Sequence, residues 1–292
     1  MNVIETHHLT KLYGNKRGIS DLNLTVKEGD FFGFIGPNGA GKSTTIRTLL
    51  GLINATSGHA SLLGMEIGRS RKNILSQIGY LPSEAQFYPG MSVQDILTFS
   101  AKLHKKDCSA EASRLCRCLE LDPSRKINEL SLGNRKKVGI VCAMQHKPRL
   151  YIMDEPTSGL DPLMQRTFYS LLQERNKEGA TIFLSSHILS EVQKYCRHAA
   201  IIKDGHILIS DSVENLSTTD AKKIILHGTC TLPELPGIVK GSTTQDSVTF
   251  YYNQDMKLLL KSLSEIPFKD ITISDPDLDE IFMHYYETEV EK

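Results

Sequence analysis

The chain has 292 residues, enough to bury a full core, and with 40% hydrophobic and 23% charged residues it has the composition of an ordinary globular protein. Lys plus Arg and Asp plus Glu stand at 34 each, so no net basic field draws the chain to nucleic acid or to anionic lipid. No apolar run approaches the roughly eighteen residues that span a bilayer, and the start, Met1-Asn2-Val3-Ile4-Glu5-Thr6-His7-His8, lacks the basic and apolar regions of a signal peptide.

In chain order, the run Asp30-Phe31-Phe32-Gly33-Phe34-Ile35 follows the turn Lys27-Glu28-Gly29 and predicts a strand buried on both faces of a parallel sheet. Directly after it stand Gly36, Pro37, Asn38, Gly39, Ala40, Gly41, Lys42 and Ser43, a match to Gly-x-x-x-x-Gly-Lys-Ser/Thr, and Ser43 to Leu52, through Thr44, predicts a helix. Such a loop binds a nucleoside triphosphate for a physical reason. Its glycines let backbone N–H groups approach phosphate, the helix N-terminus adds positive potential, and Lys42 reaches the β and γ phosphates while Ser43 offers its hydroxyl to Mg²⁺.

From Met91 to Gln145 the texture turns helical. Ser92 with Asp95 predicts a capped helix carrying Val93, Ile96, Leu97 and Leu103, a second helix is predicted over Ala110 to Leu121, and a third from Arg135 to Gln145. Leu150-Tyr151-Ile152-Met153 and Thr181-Ile182-Phe183-Leu184 predict two further buried strands, ending in Asp154-Glu155 and in Ser185-Ser186-His187. Two adjacent carboxylates repel unless a cation stands near them. In open α/β sheets ligands sit at the carboxyl ends of strands, so these loops converge on one edge. A helix (Ile188 to Arg197), a strand (Ala199 to Lys203), an Asp204-Gly205 turn and a returning strand (His206 to Ile209) follow.

A boundary near Leu216-Ser217-Thr218-Thr219-Asp220 separates an expected domain at 1–220, with a helical subdomain at about 86–146, from a small α+β domain at 221–292. The latter reads as strands at Lys223 to His227, Val248 to Tyr252 and Asp270 to Ile273, with helices from Asp255 to Leu263 and Leu278 to Tyr285. The six cysteines contain no Cys-x-x-Cys pair and are expected to be reduced, packed thiols.

Leu130-Ser131-Leu132-Gly133-Asn134, placed behind the phosphate loop and ahead of the paired carboxylates, resembles the signature of the ATPase subunit of ABC transporters. The resemblance covers about Met1 to Leu216. It implies a P-loop α/β core with a mainly parallel sheet and a helical subdomain, ATP and Mg²⁺ as ligands, and ATP hydrolysis. By the same resemblance Asp154 holds Mg²⁺ through water, Glu155 polarises the attacking water, and His187 contacts the γ-phosphate. Ser131, Leu132, Gly133 and Asn134 face the nucleotide of a second ATPase subunit, Asp161 in the loop from Pro156 reaches across that dimer, and Tyr13 stacks on adenine. Two positions depart from the family pattern: Asn134 stands where Gln is common, and the glutamine that bridges Mg²⁺ and the membrane partner falls at Ser83, so that Ser83 or Glu84 takes its place.

Within the family, Ile78-Gly79-Tyr80-Leu81-Pro82-Ser83-Glu84, the signature wording and Asp277-Leu278-Asp279-Glu280-Ile281-Phe282 resemble ATPases of bacterial drug and peptide exporters, including the bacitracin-resistance type. That implies an integral membrane permease as partner, a homodimer or heterodimer of ATPase subunits, no nucleic acid, and a place at the cytoplasmic face of the membrane. The alternative is a soluble ATPase of the same family acting in protein or cofactor assembly.

Overall fold

In the computed structural model, which describes residues 1–14, 16–88, 90–217, 222–229, 232 and 235–276, the chain opens with two long strands, β1 (Asn2–Tyr13) and β2 (Lys16–Lys27). They pair antiparallel with several register shifts. β3 (Phe31–Ile35) is buried at every position, as its unbroken apolar run requires, and leads through the glycine-rich loop into α1 (Lys42–Leu49). β4 (Ser57–Leu62) and β5 (Met65–Glu66) complete an antiparallel sheet of order β2-β1-β4-β5. A short α2 (Arg71–Leu75) and β6 (Ile78–Leu81) return the chain to the central sheet.

Three helices follow: α3 (Val93–Leu103), α4 (Ser109–Cys118) and α5 (Leu132–Met144). α3 starts at a complete capping box, in which the Ser92 hydroxyl accepts from the Asp95 N–H and the Asp95 carboxylate accepts from the Ser92 N–H. α4 ends earlier than the sequence suggests, because Glu120 takes a left-handed conformation (φ 50°) and turns the chain before Asp122-Pro123. α5 begins three residues before the expected Arg135, because the Ser131 side chain accepts from the Asn134 N–H and caps the helix at Leu132. The signature thus forms the first turn of a helix instead of a loop ahead of one. Arg175, only 2% exposed, ties this helical segment to its own sheet-flanking helix through Glu111 of α4.

β7 (Leu150–Asp154), α6 (Pro162–Lys177), β8 (Thr181–Ser186), α7 (Leu189–Tyr195), β9 (His198–Lys203) and β10 (His206–Ser212) finish the first body. The central sheet has the order β10-β9-β3-β8-β7-β6, with every neighbouring pair parallel except β9 and the edge strand β10. β7 and β8 run further than their apolar stretches, so Asp154, Ser185 and Ser186 are themselves strand residues, Asp154 paired with Ser185. One core fills the space where α1 and residues of both sheets meet: Leu9, Ile19, Phe34, Ile46, Leu49 and Ile152 are all inaccessible or nearly so. Burying each such side chain contributes about 1.5–3 kcal/mol, which fixes the floor of the phosphate loop.

The chain divides into compact units at Met1–Val213 and Glu214–Lys292. α8 (Val213–Ser217) stands at that division. In the second unit β11 (Lys222–His227), β12 (Ile238–Thr243), β13 (Ser247–Tyr252), α9 (Met256–Leu263) and β14 (Asp270–Ser274) form an antiparallel sheet of order β12-β13-β11-β14 with one helix. Ile224, Leu226, Phe250, Leu259 and Leu263 make its separate core. The edge strand β12 has no counterpart among the expected elements. The expected helix from Leu278 to Tyr285 lies outside the described residues, as does the Asp277 to Phe282 motif.

Candidate functional site

The three central strands β3, β8 and β7 are neighbours, so the residues at their carboxyl ends converge: the phosphate loop after β3, Ser185 to His187 at β8, and Asp154-Glu155 at β7. Gly41 sets the start of α1 with φ 110°, which a side chain would strain, and the Ala40 carbonyl accepts from the Gly205 N–H at 2.9 Å. Pro37, Asn38 and Gly39 are exposed, Ser43 and Thr44 half-buried. Lys42 is 4% exposed, and its ammonium donates to the carbonyls of Gly36 (2.6 Å) and Pro37 (3.0 Å). It also stands 3.2 Å from Glu155 Oε1.

Glu155 is the centre of the arrangement. His187 Nδ1 lies 3.3 Å from its other oxygen, Oε2, so a lysine and a histidine from separate loops flank one carboxylate. The backbone of Glu155 is left-handed (φ 46°), an uncommon conformation for this residue that costs about 1–2 kcal/mol. Its N–H donates to the Ser185 carbonyl (3.2 Å) and Oγ (3.1 Å).

Asp154 is fully buried. Its Oδ1 accepts from Ser185 Oγ at 2.7 Å, while Oδ2 is buried with no partner among the described residues. An ionised oxygen left so is costly, and a divalent cation answers that cost. Mg²⁺ is an ion held by one or two protein groups and by substrate phosphates. The buried Asp154 Oδ2, unpartnered among the described residues, therefore fits a divalent cation such as Mg²⁺.

The remaining expected residues lie around this centre in different ways. Ser131 caps α5, Leu132 is 67% exposed, and Gly133 packs so closely on the Gly159 carbonyl that a Cβ there would stand 2.6 Å from it. Asp161 uses Oδ1 to cap α6, accepting from the N–H groups of Leu163 (3.1 Å) and Met164 (3.0 Å). Tyr13, 48% exposed, ends β1, and Lys11 Nζ lies 5.4 Å from its ring centroid. Glu84 is exposed and Ser83 half-buried. A cavity of about 190 Å³ opens beside Glu155 and His187, lined also by Ser158, Gly159, Gln165 and Ile188.

Sequence reasoning missed several residues that hold this site. Glu191 of α7 accepts from Ser186 Oγ (3.1 Å) and Thr157 Oγ1 (3.3 Å), joining the loops after β7 and β8. Gln165 donates to the Thr157 and Leu160 carbonyls. Lys136 is buried and donates to main-chain carbonyls on two segments; burial lowers its pKa to about 8, against the pull of Asp154, Glu155 and Glu84. Its signal in the sequence is a lysine in line with Ile140 and Ala143 on the buried side of a helix.

The profile of the ABC transporter family matches residues 19–158. The bacitracin transport ATP-binding protein BcrA of Bacillus licheniformis is 40% identical over 227 residues, 75% of this chain and 73% of that protein. The uncharacterized ABC transporter ATP-binding protein YhaQ of Bacillus subtilis is 31% identical over 290 residues, 94% of this chain and 96% of its own. Among solved structures, an ATP-binding subunit of an ABC transporter superposes with a TM-score of 0.69 at 31% identity, covering 73% of this chain and 91% of that one.

Proposed function

The chain belongs to the ABC transporter family of ATP-binding ATPases, and from that premise we propose that it powers a membrane exporter of drugs or peptides, resting on a permease made by another chain. The observation that carries the hydrolytic site is the placement of Lys42 and His187 on the two oxygens of Glu155, at the edge where the phosphate loop and the buried Asp154 meet. The exporter assignment is supported by the 40% identity to a bacitracin transport protein. Among the described residues no helix is long and apolar enough to cross a membrane, in keeping with a pore supplied by a partner.

Phosphoryl transfer asks little covalent chemistry of the protein and much positioning. The backbone N–H groups of Gly39 to Lys42 and the Lys42 ammonium hold the β and γ phosphates, and the ammonium exchanges its loop carbonyls and Glu155 for phosphate oxygens. Mg²⁺ at Ser43 and Asp154 supplies charge compensation on the transferring group. Glu155 then orients the attacking water and draws its proton, while His187, fixed against Glu155, faces the γ-phosphate. Ser131 and the first N–H groups of α5 are assigned to the γ-phosphate of a second subunit, so two copies would enclose two nucleotides. Tyr13 is assigned to adenine, and Ser83 or Glu84 to the joint with Mg²⁺ and permease.

The test is to express tagged Glu155→Gln in the source cell, extract membranes with mild detergent in ATP and Mg²⁺, and identify what co-purifies. An integral membrane protein near one-to-one supports the exporter subunit. Recovery from the soluble fraction alone, with soluble companions, supports the assembly ATPase and overturns the proposal.

A further inference from the structure

Lys136 is 4% exposed and spends its three N–H bonds on main-chain carbonyls: Pro82 at 3.2 Å, Ser83 at 2.8 Å and Glu155 at 3.0 Å. A buried cation so placed costs desolvation that a carboxylate partner would return more fully, and an apolar side chain would fill this side of α5 at less expense. What the lysine does here is join segments. It stands just over one turn beyond Ser131 in the helix the signature begins, its first two acceptors directly follow β6 where the chain leaves for the helical segment, and its third belongs to Glu155.

The third contact has a particular consequence. Glu155 is held left-handed, with its N–H fixed to Ser185 of β8 and its C=O fixed to Lys136. Both ends of this residue are therefore anchored, which sets the direction of a carboxylate whose oxygens meet Lys42 and His187. A small displacement of α5 pulls on the Glu155 peptide and on the Ser83 peptide together.

We propose that Lys136 is a positioning residue for ATP hydrolysis, which holds the Glu155 peptide in its strained conformation and ties it to the Ser83 loop and to the helix that carries the signature. The proposal rests on the hydrolytic role assigned to Glu155 above. Lys136 acts through Glu155, whose carbonyl its ammonium holds.

The test compares Lys136→Met, which keeps the stem and removes the donors, with Lys136→Gln, which keeps amide donors on a shorter stem. Native protein and Glu155→Gln serve as controls, and nucleotide affinity is measured beside turnover. The expected result is a kcat about tenfold or more below native in Lys136→Met, with ATP affinity within about twofold of native and partial recovery of kcat in Lys136→Gln. A kcat within about twofold of native in Lys136→Met overturns the proposal. If Lys136→Met fails to bind ATP, Lys136→Leu, which also lacks donors, decides by the same criterion, and loss of ATP binding in both assigns Lys136 a purely structural role and also overturns it. Native-like turnover in Glu155→Gln instead removes the reading of Glu155 on which the proposal stands, an outcome separate from failure at Lys136.

Discussion

Lys42 Nζ stands 3.2 Å from Glu155 Oε1, and the same ammonium donates to the Gly36 and Pro37 carbonyls. The group proposed to bind phosphate thus also restrains the group proposed to orient water, and a triphosphate in the loop would compete for it. Lys42→Met removes the phosphate cation without changing the stem. ATP affinity is expected to fall about tenfold or more in equilibrium binding, because the loop N–H groups alone must hold the charge. Native affinity in that variant would place the triphosphate elsewhere.

Gly133 and Gly159 approach so closely that a methyl group on Gly133 would stand 2.6 Å from the Gly159 carbonyl oxygen. Gly133→Ala must therefore push the start of α5 off the loop that leads to Asp161. Overpacking of this kind costs about 1–3 kcal/mol, read as a lower denaturant midpoint, while ATP binding at the phosphate loop is expected to persist. An unchanged midpoint would mean that the two backbones separate freely.

His146 is buried at the end of α5, its Nε2 donating to the Ile78 carbonyl at 3.1 Å and its ring stacked on His104 with centroids 3.6 Å apart. Burial first, and then the facing His104 and Lys106, lower its pKa from 6.5 to about 4, and His104 is lowered in the same direction by its own burial. Between those two values the unfolded chain binds a proton that the folded chain refuses, so stability falls as pH falls through this window and is level above it. Denaturant midpoints across the window are expected to drop toward acid, with a shallower slope in His146→Gln, which keeps an N–H for Ile78. Equal slopes in the two proteins would exclude this histidine as a source of acid sensitivity.

The convergence of the site was legible because β3, β7 and β8 are unbroken apolar runs, each followed by motif residues, and parallel neighbours bring such ends together. The ends of the helices were less so. Ser131 as a cap at Leu132 was hidden by Gly133 and Asn134, weak helix formers in the first turn. β1 and β2 were not legible because their register shifts break the alternation that marks a half-buried strand, and β12 is a polar edge strand. Lys136 could not be assigned from sequence, since its acceptors lie 54, 53 and 19 positions away and are peptide groups, which carry no residue signature.

The measurement that bears most directly on the account is steady-state ATP turnover and ATP affinity of the purified protein beside Glu155→Gln. The amide keeps the size of the side chain and loses the capacity to take a proton. The account expects unchanged ATP affinity with turnover reduced about a hundredfold or more. Turnover at the native rate in Glu155→Gln would contradict it.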